Sequence, residues 1–332
     1  MTDKVPSGAK SGLSLDPSAD EIRRWGNAAI EAMADYLDSI RDRRVYPTTS
    51  AREIREKLER ALPVEGVGFE RLLETFDADI VETSRHNGHP RMFGYVQAPG
   101  TAIAAIADLL ASTLNANLTA WRSAPAAVEI ERLTIDWIKQ IVGFKADAGG
   151  LFVSGGSTAN LSALATARRA KAHPDLTSKG AQCLHQAMRV YVSVETHHSI
   201  AKAAALLGLG RDNIRAIGVD ERYQIRIGEL VAAITEDLEA GYLPFCVVGN
   251  AGTVNTGACD PLREIVAVAR RFDLWMHVDA SYGGFAVLAP SARGLFDALS
   301  EADSVALDPH KWLYLPVDCG CVLYRDAEAA RA

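Results

Sequence analysis

Two spacings of apolar residues divide the chain. From about residue 17 to about 143, apolar positions recur three and four apart, the period of helices with one buried stripe. Asp16 can cap the first of these, with Pro17 at its first position, and Ile22, Trp25, Met33, Tyr36, Leu37 and Ile40 supply its stripe. Pro47 ends that segment. Ser50 and Glu53 form an S-x-x-E capping box for the next helix, expected to stop near Pro63. Phe69, Leu72, Leu73, Phe76 and Ile80 continue the pattern. Helices this short need another surface to pack on, from the rest of the chain or from a partner subunit.

From Gly149 the pattern changes to short apolar runs alternating with helical stretches. The runs 151–153, 190–194, 214–219, 245–249, 275–279, 304–307 and 321–324 read as strands. Segments 160–171, 199–207, 229–239 and 262–272 read as helices between them. Such alternation implies a mostly parallel sheet with helices on both faces. Ligands of such sheets bind beyond the carboxyl ends of the strands, so functional residues are expected just after strand ends.

The 332 residues carry 35 Lys and Arg against 42 Asp and Glu, a net charge of −7. That balance, with no basic run, argues against a nucleic-acid partner. No apolar stretch reaches 18 residues, so no membrane span is expected. Residues 1–16 are rich in Ser, Gly, Pro and Asp and read as a disordered tail rather than a secretion signal. Five widely spaced cysteines without a C-x-x-C pair argue against a disulfide framework or structural zinc, and for a reducing, cytoplasmic setting. Cys319 and Cys321 alternate on one expected strand, as buried small hydrophobes or, alternatively, a reactive thiol.

Several short segments carry candidate chemistry. Ser154-Gly155-Gly156-Ser157-Thr158 follows a strand and opens a helix, where first-turn N–H groups and hydroxyls can hold a phosphate; without the glycine-lysine pattern it is no Walker A loop, and a tight capped turn is the alternative. Gly208-Leu-Gly210 follows a helix and reads as its terminator rather than a dinucleotide loop. His197 and His198 are adjacent and cannot make an i, i+4 zinc face; one could stack on a flat ligand or move a proton, or both could be a surface pair. Asp279 ends an apolar strand, where a carboxylate needs a partner such as a cationic cofactor nitrogen, a metal or an Arg. Lys311, in Asp308-Pro309-His310-Lys311-Trp312, sits in an aromatic setting where a desolvated amine becomes a nucleophile for carbonyls, unless it is an exposed turn residue. A phosphate loop, a His, a strand-end Asp and a Lys beyond the ends of one sheet are the parts of a pyridoxal phosphate site.

Segments 154–164, 195–200, 252–260, 277–284 and 308–312 together resemble the group II pyridoxal-phosphate-dependent amino-acid decarboxylases, which include the aromatic-amino-acid, glutamate and cysteine-sulfinate decarboxylases. The resemblance runs from His89-Pro-Arg-Met-Phe-Gly-Tyr95 to the end of the chain. Its most specific part is His277-Val-Asp279-Ala with Pro309-His-Lys311-Trp, Lys311 lying 32 residues after Asp279. It implies an α/β fold: the large domain of fold-type-I transferases, a mostly parallel seven-stranded sheet between helices with an N-terminal helical arm. The implied organisation is a tail over 1–16, a dimerisation arm over 17–90 and a cofactor-binding large domain over 91–332.

By that resemblance Lys311 carries the cofactor aldehyde as a Schiff base, Asp279 pairs with the pyridine nitrogen, and His197 stacks on the ring and returns a proton after carbon dioxide leaves. Gly156 and Ser157 hold the phosphate with His310, Thr253 lies beside the cofactor, Ser281 faces the opposite side of the ring, and Tyr95 lines the substrate pocket. No metal is implied. The expected activity is decarboxylation of an L-amino acid to its amine, with a lean toward aromatic substrates, in a cytoplasmic homodimer. Other fold-type-I reactions (transamination, aldehyde synthesis, desulfuration) and an inactive cofactor-binding subunit are the alternatives. Two departures stand out. Asp308 replaces the Asn of many members, and 21 residues follow Lys311 where the family continues into a mobile loop and a small C-terminal domain. Absence of both is expected to weaken cofactor binding and turnover.

Overall fold

The computed structural model describes residues 16–59, 61–62, 64–172 and 176–331. Residues 1–15 of the tail expected over 1–16, and the stop at Pro63, lie outside the described residues. The chain divides after Tyr95 into two compact units.

The first unit is helical: α1 Ala19–Ser39, α2 Ala51–Leu58 and α3 Phe69–Thr75, the last running into a wider-wound turn, Phe76–Val81. The Ser50–Glu53 capping box is present. The start of α1 corrects the expectation of an Asp16 cap: Ser18 is the N-cap, closing a second capping box with Glu21, which satisfies two otherwise orphaned donors where Asp16 could satisfy one. α1 is also long, 21 residues, and ends at Ser39, well before Pro47, so Ile40 lies just outside it. None of the residues in α1 to α3 is buried. Ile22, Leu37 and Leu72 are exposed, while Trp25 meets Phe69 at 5.9 Å between ring centroids.

The second unit opens with α4 Ala102–Leu114 and α5 Pro125–Val142. The alternating elements follow: β1 Gly149–Val153, α6 Gly156–Lys171, α7 Leu176–Lys179, β2 Met188–Ser193, α8 Ser199–Leu206, β3 Ile214–Ile217, α9 Ile227–Glu239, β4 Leu243–Asn250, α10 Leu262–Arg271, β5 Trp275–Asp279, β6 Ser304–Leu307, α11 Pro309–Trp312, β7 Gly320–Tyr324 and α12 Ala327–Arg331. All seven expected strands form, within a few residues of their expected limits. They build one sheet in the order β1-β7-β6-β5-β4-β2-β3, in which β7 alone runs against the rest. The carboxyl ends of β1, β2, β4, β5 and β6 therefore share one edge.

The central strands are buried except for Leu243 at the start of β4, so their side chains feed two cores alternately. On β2, Tyr191 joins one face, with α5, α9 and α10, while Val190 and Val192 join the other, with α6 and α8. The helices match: α10 buries Leu262, Ile265, Val266 and Ala269, an i, i+3, i+4, i+7 set. β7 begins at Gly320, so Cys319 precedes the strand, half-buried, and only Cys321 is a buried strand residue. Burial and the nearby Asp308 push the Cys319 thiol up to about 11, and burial pushes Cys321 up as well, which disfavours a reactive thiolate at either. All five cysteines are free. Among the described residues no helix is long and apolar enough to cross a membrane.

Candidate active site

Five strand ends converge on one cavity of about 390 Å³. Its lining includes Gly156, Ser157, His197, Thr253, Asp279, Ser281, His310 and Lys311, the expected site residues of this unit. Tyr95 belongs to the first unit, where it is exposed and lies under the Arg85 guanidinium at 4.2 Å. Its neighbour Val96 lines the cavity.

After β1 the backbone turns through Gly155 at φ +136°, a conformation closed to side chains, and enters α6. The first-turn N–H groups of Gly156 and Ser157 have no acceptor within the helix, and both residues line the cavity. A Cβ on Gly156 would lie 2.5 Å from Ser281 Oγ and 2.9 Å from Asp308 Oδ2, so glycine is required where three loops meet.

After β2 comes His197. Its Nδ1 lies 2.9 Å from Ser199 Oγ and accepts the Ser199 backbone N–H at 3.3 Å, which leaves Nε2 to carry the proton of the neutral ring. Burial, and then the adjacent His198, lower its pKa below the ordinary imidazole value. His198 is exposed and caps α8, with its ring centroid 4.0 Å from that of His197.

After β4, buried Asn250 donates from Nδ2 to Asp260 Oδ2 at 2.8 Å and to Thr196 Oγ1 at 3.1 Å, tying this loop to the one bearing His197. Thr253 is buried beside it, with Oγ1 accepting the Ala258 N–H at 3.2 Å. At the end of β5, Asp279 is 8 % exposed. Its Oδ2 accepts from Asn160 Nδ2 at 2.9 Å and its Oδ1 from the Ser281 N–H at 3.1 Å. After β6, Asp308 precedes α11, and its Oδ2 lies 2.8 Å from Lys311 Nζ and 3.8 Å from His310 Nε2. Burial raises the Asp308 pKa, opposed by Lys311.

Asn160, Asn250 and the pairing of Asp308 with Lys311 were not expected from sequence. A signal existed for Asn160: it lies on the face of α6 that otherwise buries Ala159, Ala163, Leu164 and Ala167. Asn250, like Asp279, closes an otherwise apolar buried strand.

The donor set fits pyridoxal phosphate. Lys311 offers an amine, Asp279 a buried carboxylate, and the start of α6 an anion cradle. Two buried atoms beside that cradle, Ser281 Oγ and Asp308 Oδ1, lack hydrogen-bond partners within the protein. A phosphate oxygen would accept from the Ser281 hydroxyl, whereas the Asp308 oxygen, an acceptor while ionised, needs a donor. Among the described residues no group of three or more His, Cys, Asp and Glu could hold a metal ion.

The fold is of fold type I, the donor set fits pyridoxal phosphate, and comparison with known proteins agrees. Residues 52–331 match the pyridoxal-dependent decarboxylase conserved domain, and the chain belongs to that family, whose cofactor is pyridoxal 5'-phosphate. It is 38 % identical over 315 residues to an aromatic-L-amino-acid decarboxylase of Bacillus atrophaeus, covering 95 % of this chain and 64 % of that one. The chain thus spans about two thirds of that relative's length. Among solved structures it resembles Oryza sativa TDC with PLP and tryptamine, at a TM-score of 0.89 and 29 % identity over 96 % of this chain and 66 % of that one. Rhodiola rosea 4-hydroxyphenylacetaldehyde synthase gives a TM-score of 0.88 and 29 % identity over 94 % of this chain and 68 % of that one.

Proposed function

We propose that this protein removes the α-carboxylate of an L-amino acid as carbon dioxide and releases the amine, with a preference for aromatic side chains. The observation that carries this reading is the meeting of Lys311, Asp279 and His197, from three separate strand ends, in one cavity. The Bacillus atrophaeus relative and the tryptamine in the Oryza sativa structure support the aromatic preference.

Bound pyridoxal phosphate supplies a conjugated ring that accepts the electron pair left by departing carbon dioxide. Lys311, held 2.8 Å from Asp308, is the amine that would hold the cofactor through its aldehyde. Asp279 is the carboxylate that would pair with the pyridine nitrogen and favour its protonated form. His197 would stack on the ring, and Nε2 is the nitrogen through which it would exchange a proton with the carbon that loses its carboxylate; with its pKa lowered, the protonated ring would give that proton up readily and return to the neutral form. Gly156, Ser157 and His310 would bind the phosphate, and Thr253 and Ser281 would flank the cofactor.

We read residues 17–90 as an arm that packs on a second subunit. The exposed Ile22 and Leu37 on α1, and separately Leu110, Leu114 and Trp137 on α4 and α5, are the apolar surface such a homodimer would bury. Five free cysteines suit a reducing, cytoplasmic location.

The test is carbon dioxide release across a panel of amino acids, with product identification. Release from aromatic substrates with equimolar amine is expected. Structural likeness to the aldehyde synthase favours one second reading, in which dioxygen is consumed and aldehyde, ammonia and hydrogen peroxide replace the amine. No carbon dioxide from any amino acid would overturn both.

A further inference from the structure

A line of buried polar groups runs beneath the site, from the sheet interior to Asp279. Trp275 Nε1 lies 2.9 Å from Ser304 Oγ, and Ser304 Oγ lies 2.9 Å from His277 Nδ1. His277 Nε2 lies 2.8 Å from Asn160 Oδ1, and Asn160 Nδ2 lies 2.9 Å from both Asp279 Oδ2 and Ser199 Oγ. His277 and Ser304 are fully buried, Asn160 nearly so.

Both ends impose a direction on this line. A carboxylate accepts, so Asn160 must turn its amide nitrogen toward Asp279 and its oxygen toward His277. That oxygen needs a donor, which places the His277 proton on Nε2. Nδ1 is then an acceptor and takes the Ser304 hydroxyl proton. The indole of Trp275 can only donate, and Ser304 Oγ receives it. Reversing the line would set the Asn160 oxygen against a carboxylate and leave His277 Nε2 facing an N–H group. The second Asn160 hydrogen goes to Ser199 Oγ, whose own proton points to His197 Nδ1. One amide thus governs Asp279 directly and the proton position on His197 through Ser199.

We propose that Asn160 is a positioning residue shared by Asp279 and His197, and that its orientation is set by His277 held as the neutral Nε2–H tautomer. Desolvation supports this state, since burial pushes the His277 pKa down to about 4. The inference rests on the roles proposed above for Asp279 and His197. It adds that their geometry depends on a line reaching Trp275, outside the cavity lining.

The experiment is nitrogen NMR of the full, cofactor-loaded chain with labelled imidazoles, followed by kinetics of variants. His277 should show one tautomer, protonated on Nε2, and no titration from about pH 6 to 9. His197 should also carry its proton on Nε2, and Asn160→Leu should shift the His197 signals toward a tautomer mixture. His277→Leu should lower kcat by about thirtyfold with KM changed less than about threefold, and His277→Gln, which keeps a donor toward Asn160, should restore most of that loss. A His277 proton on Nδ1, or a doubly protonated ring at neutral pH, overturns the inference without recourse to any variant. So do wild-type kcat and unchanged His197 signals in His277→Leu. If the tautomers are as stated but no amino acid releases carbon dioxide, the proposed reaction falls and the assignment of the line stands.

Discussion

The two ends of the cavity are built in opposite ways. At the Asp279 end both carboxylate oxygens are engaged by donors, and Asn160 behind them belongs to a fully bonded line. At the α6 end, Ser281 Oγ and Asp308 Oδ1 are buried without a hydrogen-bond partner within the protein, around a glycine that leaves space for close approach. A satisfied network resists reorganisation, which suits a group that must hold one geometry while charge moves. Buried polar atoms without partners cost stability in the folded chain; a ligand that accepts from the Ser281 hydroxyl recovers part of that cost on binding, while the Asp308 carboxylate opposes a phosphate until it takes up a proton. The first end is therefore expected to govern turnover and the second to govern cofactor affinity.

The largest effect falls on the residue linking the two ends. Lys311→Ala should abolish borohydride-reducible attachment of pyridoxal phosphate and lower turnover by more than about a thousandfold. Persistent reducible attachment to the variant would move the role to another amine. At the rigid end, Asp279→Ala should cost about 3–4 kcal/mol of transition-state stabilisation, the range for removing a preorganised electrostatic partner. Asp279→Glu should retain more activity than Asp279→Ala, because it keeps the charge. Near-wild-type kcat/KM in both would show that this end does not govern turnover.

How much of this was legible in sequence follows from how local each determinant is. The strands could be read because each is a short apolar run flanked by turn or helix residues, and Asp279 and Lys311 because each stands just beyond such a run. The start of α1 was misread although its cue is local: Ser18 and Glu21 repeat the spacing of Ser50 and Glu53, but Asp16-Pro17 competes two residues earlier. Asn160 is a different case. Its burial is suggested by the helix period, yet its partners His277 and Asp279 lie 117 and 119 residues away and meet it only when α6 packs on β5. The partnerless atoms of Ser281 and Asp308 likewise arise from three loops converging, which no local pattern encodes.

The rigid end should also leave a mark on stability. The ordinary imidazole value is 6.5, and burial lowers that of His277 to about 4. As pH falls through 6.5 the unfolded chain takes up this proton while the folded chain does not, so the unfolded state binds more protons and stability drops with falling pH. The loss through His277 should reach about 3 kcal/mol by pH 4. Burial also lowers His86 and His197, which act with the same sign, so the comparison must be between chains. Urea unfolding of wild type and His277→Gln between about pH 7 and 4 isolates the contribution, with a shallower slope expected in the variant. Equal slopes would mean that His277 takes up its proton without opening the line.

The smallest effect belongs to the partnerless end and separates it most cleanly from the other. Burial raises the pKa of Asp308 even against the opposing Lys311, and Lys311, His310, Asp279, Cys319 and Cys321 are the titratable groups around it. Its Oδ2 stands 2.9 Å from where a Cβ of Gly156 would lie, so a phosphate held at the start of α6 would share that space with a carboxyl group. Ionised, Asp308 can only accept hydrogen bonds and repels the phosphate; protonated, it can donate one. Asp308→Asn keeps the shape and supplies a permanent donor. At pH values above the Asp308 pKa, Asp308→Asn should bind pyridoxal phosphate about tenfold more tightly than wild type, roughly 1.4 kcal/mol. The gap should narrow as pH falls and the native carboxyl takes up its proton. Titrating both chains with pyridoxal phosphate and with pyridoxal, followed by absorbance at several pH values, gives the answer. Pyridoxal lacks the phosphate, so the two chains should bind it alike if repulsion at that end is the cause. A gap of the same size for both ligands would place the effect at Lys311 instead, and equal affinities for pyridoxal phosphate at every pH would remove Asp308 from the phosphate site.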